Sequence, residues 1–168
     1  LNGAVYVGGT LTVGGAANLG DVYVGGVLIK PGGSFRIDHP LDPASKYLFH
    51  SFVESPDMKN IYDGIVTTDA ESGSATIELP AYFLALNRDF RYQLTVIGPE
   101  FAMARVSREI ENNCFSIQTS KPGIKVSWQV TGIRKDAWAN DHRIEVEVNK
   151  SDAERGTYSY PVGFGQRR

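Results

Sequence analysis

Cysteine is almost absent from this sequence, with one residue, Cys114, among 168. A lone thiol excludes an internal disulfide and any cysteine-rich metal site. Its setting, Cys114-Phe115-Ser116-Ile117, reads as that of a small core residue. An excess of one charge sign is also lacking, since 17 Lys and Arg face 19 Asp and Glu for a net charge of -2. The basic residues are scattered, which argues against a nucleic-acid footprint. No apolar run approaches the roughly 18 residues of a helical membrane span, so membrane insertion is not expected. No secretory leader pattern stands in these residues. The glycine pairs of the first 33 residues lack the Lys-Ser/Thr pair and helix of a phosphate loop. Ser51 and Ser55 lack the Gly-x-Ser-x-Gly elbow of an α/β hydrolase.

Glycine, by contrast, is concentrated: 10 of the 18 fall in residues 1–33, a stretch whose only charges are Asp21 and Lys30. They belong to a repeat. Ala4-Val5-Tyr6-Val7-Gly8-Gly9-Thr10-Leu11 returns 17 residues later as Asp21-Val22-Tyr23-Val24-Gly25-Gly26-Val27-Leu28. Gly3 with Gly20, and Gly15 with Gly32, keep the register. β-forming runs closed by paired glycines are the pattern of stacked rungs. Two rungs cannot bury a core, because stacked repeats need about three or more units. The missing partners must then come from further sequence or from other copies of the chain. The repeat is already under way at Leu1, which reads as a piece of something longer.

After Pro31-Gly32-Gly33 the composition becomes that of an ordinary globular domain. The expected division is a stalk over 1–33 and a folded domain over 34–168. The folded part reads mainly as strands. Tyr47–Glu54 carries apolar residues on both faces, as a central, doubly covered strand or a subunit contact would. Ile61–Thr68 is a candidate interrupted at Asp63-Gly64, and Glu71-Ser72-Gly73-Ser74 reads as a hairpin turn into Ala75–Leu79. Phe90–Ile97 and Phe101–Arg108 form the next pair across Gly98-Pro99; Cys114–Thr119 and Ile124–Val130 are joined by Ser120-Lys121-Pro122-Gly123. In His142–Val148, Ile144, Val146 and Val148 should face inward. Pro80–Asn87 is the one expected helix, opened by a proline at a tolerated first-turn position. The fold class this implies is mainly β: a short triple-β-helix-like stalk, then an antiparallel β-sandwich-like domain with one short helix.

Chemistry-bearing residues are sparse. His39 lies between Asp38 and Pro40 and reads as part of a rigid, proline-set lead-in loop. His50 and Glu54 are four apart on one strand, and with His39 they make two imidazoles and a carboxylate of the kinds that bind metal. Nothing in the spacing enforces that geometry, and neither a metal nor another cofactor is expected. Glu54 and Asp57 offer two carboxyls, but glycoside hydrolysis needs them at a defined separation of roughly 5–10 Å. Asp57 reads as the cap of the turn after Pro56. No enzymatic activity is expected. Trp128 sits in a strand and reads as a core or interface residue rather than a binding platform. Trp138 lies in a polar loop and is the best exposed contact residue. Around it, Asp136, Asn140 and Asp141, with the tail residues Tyr158 and Tyr160, make a candidate contact surface.

Over residues 1–33, the pattern Val-Tyr-Val-Gly-Gly-x-Leu-x-Val resembles the rungs that precede the distal domains of phage tail fibres and related virion fibres. The ordered motifs that follow are Phe35-Arg36-Ile37-Asp38-His39-Pro40-Leu41, Leu48-Phe49-His50-Ser51-Phe52-Val53-Glu54-Ser55-Pro56, Ile61-Tyr62-Asp63-Gly64, Leu79-Pro80-Ala81-Tyr82-Phe83 and Leu94-Thr95-Val96-Ile97-Gly98. They resemble a poorly characterised domain found in fibre-like and in uncharacterised proteins. The resemblance covers roughly residues 1–100 and brings no catalytic residues with it. The chain departs from the self-cleaving chaperone domains that end many phage fibres, because Tyr158–Arg168 carries Gly and Pro and no heptads.

What the resemblance implies is a structural subunit of a virion tail fibre, a homotrimer in a virion or extracellular setting. Its partners would be its own copies, other fibre or virion components and a host-surface glycan. Val5, Val7, Leu11, Val22, Val24 and Leu28 would face the shared axis. The alternatives are a glycan-binding module or subunit of a secreted or cell-surface filament, and a polysaccharide-degrading enzyme using Glu54 and Asp57.

Overall fold

The computed structural model describes residues 5–24, 33–158 and 161–166. The chain divides into two units, Leu1–Gly32 and Gly33–Arg168.

In the first unit the described residues 5–24 contain no strand or helix, only bends at Gly8-Gly9, Gly14-Gly15 and Gly20. Their apolar side chains are exposed. A β-rich stalk is therefore not formed by these residues within a single chain. Strand hydrogen bonds need a neighbouring strand, and none is supplied here.

The second unit is mainly β with short helices. Its elements are β1 (Ser34–Asp38), β2 (Tyr47–Ser51), β3 (Lys59–Thr67), β4 (Ser74–Glu78), α1 (Phe83–Leu86), β5 (Asn87–Ile97), β6 (Ala104–Glu111), β7 (Cys114–Thr119), β8 (Lys125–Arg134), α2 (Ala137–Asp141) and a 3-10 turn at Pro161–Phe164. All pairing among the described residues is antiparallel. β1 and β2 form a two-stranded sheet, and the others form two three-stranded sheets of order β3-β8-β5 and β4-β7-β6. No helix among the described residues is long and apolar enough to cross a membrane.

Alternation explains the core. Ile77, Phe115 and Ile117 project from one three-stranded sheet, Val126 and Val130 from the other, and Leu79, Phe83 and Ile124 join them in one buried cluster. The outward face of β3-β8-β5 carries Asp63, Gln93 and Gln129, with Ile61 and Ile65 exposed beside them. Each fully buried Val, Leu, Ile or Phe contributes about 1.5–3 kcal/mol, so this cluster dominates the stability of the unit.

The turn sequences join different partners from those expected. β3 and β4, β5 and β6, and β7 and β8 are consecutive, yet each pair is split between the two three-stranded sheets. The turns at 69–73, 98–103 and 120–124 are thus arches between sheets, and among the described residues only β1–β2 and β6–β7 pair as sequence neighbours. A buried polar knot ties two arches together. The Thr68 and Thr119 hydroxyls lie 3.0 Å apart, the Ile124 amide donates to Thr68 Oγ1 (3.0 Å), and Thr119 Oγ1 donates to the Gly73 carbonyl (2.9 Å).

Other expectations are corrected. His142–Val148 forms no strand, and Ile144, Val146 and Val148 are exposed, because no neighbouring strand accepts its ladder. The stretch after Gly33 contains a strand, β1, before the proline-set loop at His39. β2 stops at Ser51 and lies in a two-stranded sheet with Tyr47 and Phe49 exposed, so it is not a doubly covered central strand. The expected helix shrinks to Phe83–Leu86, and a second helix, α2, forms in the polar loop around Trp138 because Asp136 caps it. β3 runs unbroken through Asp63-Gly64: Gly64 stands opposite Trp128, and a Cβ there would meet the indole at 2.7 Å. The glycine is a seat for the tryptophan rather than a break.

Candidate functional site

α2 sets the geometry around Trp138. Asp136 accepts from the Ala139 amide at 3.1 Å, which caps the helix. The same carboxylate takes two hydrogen bonds from Arg134, Nε at 2.8 Å and Nη2 at 3.0 Å. Both side chains of this pair are buried. Asn140 donates to the Lys135 carbonyl at 2.9 Å and accepts from Arg143 Nη2 at 2.6 Å. Asp136 is therefore buried in the cap and its arginine pair, while Asn140 steadies the helix from an exposed position.

Trp138 remains 52% exposed, with one ring face stacked on His142 at 4.4 Å and 6°. It lines a groove of about 420 Å³ with Phe35, Phe52, Met58 and Ile144 as apolar walls and Glu54, Lys59 and Arg134 as its charged members. The arrangement suits a ligand that offers an apolar face and a few polar groups. Phe35, Phe52, Met58 and Arg134 were not singled out from the sequence, because they come from separate elements with no shared spacing. Tyr158 makes its ring contacts with Phe164 (5.2 Å) and the Lys150 ammonium (5.4 Å), not with Trp138. Tyr160 lies outside the described residues.

Of the repeat residues, Val5, Val7, Leu11, Val22 and Val24 are exposed, and Leu28 lies outside the described residues. Equivalent positions match: Tyr6 and Tyr23 are 92% and 93% exposed, Val7 and Val24 50% and 49%. The repeat in sequence is thus, over these positions, a repeat in side-chain exposure.

A second cluster links β2, β3, α1 and β5. Asn60 Nδ2 donates to Asn87 Oδ1 at 2.8 Å, and Asn87 Nδ2 donates to the Phe83 carbonyl (3.0 Å) and the Tyr62 hydroxyl (3.2 Å). The two asparagines reach each other across the middle strand at Gly132, where a Cβ would lie 2.8 Å from that of Asn87. A bulge between Arg88 and Arg91 lets Asn87 and Phe90, three apart, both face inward. His50 Nδ1 lies 3.3 Å from Asn60 Oδ1 and Nε2 3.5 Å from the Tyr82 hydroxyl. Burial lowers the pKa of His50; the Asn60 bond opposes this and Arg134 adds to it. Burial pushes the Tyr62 hydroxyl up to about 12, against the bond from Asn87 and with a small addition from Tyr82.

His39 packs edge-on against Tyr82 (5.7 Å), and its Nδ1 accepts from the Leu41 amide (3.2 Å). Glu54 lines the Trp138 groove, whereas His50 lines a different one with Asn60 and Asp63. Among the described residues, no three His, Cys, Asp or Glu side chains converge as metal ligands would. Asp57 forms an exposed ion pair with Lys59 at 3.8 Å, and Cys114 is a half-buried free thiol. Set against family models, curated proteins and solved structures, the chain matches none.

Proposed function

We propose that this chain is a structural subunit of a virion tail fibre that assembles as a homotrimer. In this reading the repeat of residues 1–33 becomes a β-rich stalk only when copies of the chain supply each other's strands. The β-sandwich-like body of residues 34–168 displays an attachment surface. The function is assembly and display, not catalysis, in a virion or extracellular setting. The partners are further copies, other fibre components and a host-surface glycan.

The observation that carries the reading is the periodic exposure of Val5, Val7, Leu11, Val22 and Val24. A single chain leaves these residues in water although each would contribute about 1.5–3 kcal/mol on full burial. Their repetition at a 17-residue offset fits stacking along an axis. Light scattering coupled to size exclusion tests it. A discrete mass of three chains is the expected result, and a monomer at all concentrations would end the proposal.

A glycan-binding module is the second reading, favoured by the half-exposed Trp138 at the edge of an apolar groove with Glu54 and Lys59. Indoles stack on the apolar faces of sugar rings and leave the hydroxyls to polar neighbours. An array of surface glycans should show binding by the full chain that Trp138→Ala abolishes. Binding unaffected by that change would place the site elsewhere.

A further inference from the structure

The β1–β2 hairpin is held to its unit in an unusual way. Among the described residues, the backbone hydrogen bonds of residues 34–51 stay within the hairpin. Neither three-stranded sheet pairs with it. Side chains hold it instead. The Phe35 ring lies between His50, edge-on at 5.6 Å, and the Arg134 guanidinium, 3.8 Å from the ring centre. His50 also meets Tyr62 edge-on (5.9 Å) and Tyr82 (6.0 Å). Its two ring nitrogens are the polar bridge from β2 to Asn60 and Tyr82.

The protonation of that bridge follows from donor and acceptor chemistry. The Phe83 carbonyl can only accept, so the nitrogen of the Asn87 amide faces it and the Asn87 oxygen faces Asn60. Asn60 must then present its own oxygen to His50 Nδ1. Nδ1 carries the ring proton, and Nε2 is left as an acceptor for the Tyr82 hydroxyl. The docked hairpin is built around a neutral imidazole.

We propose that His50 is a proton-operated latch: in mild acid it takes up a second proton and releases the β1–β2 hairpin from the body. A proton on Nε2 would place a cation in a half-buried cage beside Arg134, whose guanidinium already lies over Phe35. The groups facing the ring are Asn60 and Tyr62 from β3, Tyr82 at the start of α1, Phe35 from β1 and Arg134 from β8. His39 packs on Tyr82, and Asp63 lines the same groove without an ion pair to His50. Among the described residues no carboxylate pairs with His50, and the buried Asp136 is already committed to Arg134.

The sign follows from linkage. The docked ring binds its proton less readily than an undocked one with the ordinary value of 6.5. Docking is then full above pH 6.5 and weakens as pH falls below it, until the docked ring is itself protonated. One proton allows at most about a tenfold change in the docking equilibrium per pH unit. The chain enters the second unit through this hairpin, so release would free the lead-in from residue 33 while the main core stays folded.

Amide hydrogen exchange on the full chain at about pH 7.5 and about pH 5, corrected for intrinsic chemistry, tests the latch. Residues 34–51 should lose protection in acid by up to about tenfold per pH unit, while β7 and β8 keep theirs. His50→Asn retains a donor for Asn60 and cannot titrate, so its hairpin should be protected equally at both pH values. His39→Asn and His142→Asn should behave as the unmodified chain. If His50→Asn undocks the hairpin at every pH, the NMR titration of His50 in the unmodified chain decides. A midpoint below 6.5 with the proton on Nδ1 supports the latch. Protection independent of pH, a dependence that survives His50→Asn, or a His50 midpoint at 6.5 would overturn it.

Discussion

The repeat of residues 5–24 and the body beginning at residue 33 are built from the same apolar residue types and meet opposite fates. Val7 and Val24 are half exposed, whereas Val126 and Val130 are fully buried. Intrinsic preference does not separate them, since both sets are β-branched residues in β-forming runs. The difference is in partners. Val126 and Val130 lie on β8, the middle strand of its sheet, and face side chains of β4-β7-β6. Val7 and Val24 have glycine-flanked runs on either side and no opposing sheet within the described residues. Burial is a property of an arrangement of strands, not of a strand.

The comparison can be broken most severely in the body. Phe115→Ala removes a fully buried ring that contacts Tyr92 and Trp128, and should cost about 3–5 kcal/mol in denaturant unfolding. A loss below about 1 kcal/mol would mean that the two sheets do not share the core described here. Gly132→Ala should come next, at about 1–3 kcal/mol, because its Cβ would be driven against Asn87 and separate the Asn60–Asn87 bond. The companion variant Asn87→Gly removes the opposing Cβ itself, so a double-mutant cycle should show strong coupling between the two changes.

In the repeat the same kind of measurement should read almost nothing. Val24→Asp is expected to change the unfolding free energy of the body by less than about 0.5 kcal/mol, since Val24 is exposed in the chain. Its effect should fall on particle mass, which should drop to that of one chain. Destabilisation of the body by Val24→Asp would erase the contrast between the two regions. The smallest effect concerns the raised Tyr62. Its hydroxyl should stay protonated past pH 10 and titrate near 12, so Tyr62→Phe should remove the highest-pH component of the ultraviolet titration. Because the folded value is raised, its contribution to stability is whole below pH 10 and is lost as pH rises toward 12.

Much of the strand content was legible in local pattern. β4, β5 and β7 fall where alternation and turn residues put them, because a half-buried strand needs period two and little else. His142–Val148 has the same alternation and forms no strand, since alternation is necessary for a paired strand but cannot supply its neighbour. Asp63-Gly64 looked like an interruption because the indole that requires the glycine comes from Trp128, far along the chain. The short β1 was missed for a related reason, as its inward ring, Phe35, is held by a histidine and an arginine from other elements.

The candidate site was legible only at its centre. The polar loop marked Trp138 as an exposed contact, and it is half exposed beside a groove. The same loop suggested Asp136 and Asn140 as ligand-facing groups; Asp136 is buried against Arg134 and caps α2, while Asn140 stays exposed and bonds the Lys135 carbonyl. A short polar side chain in a loop serves a cap or a ligand equally well, and sequence spacing does not distinguish the two.

By itself the sequence determined the 17-residue repeat, the change of composition near residue 33, and a mainly β body with polar-apolar alternation. These are local properties, written in backbone preference and side-chain period. Only the tertiary structure decided that three of the turns arch between sheets, that Gly64 and Gly132 make room for Trp128 and Asn87, and that His50 bridges the hairpin to Asn60 and Tyr82. The physical reason is distance along the chain. Hydrogen bonds and packing between remote residues are set by which strands become neighbours, and that choice minimises the free energy of the whole core rather than of any one segment.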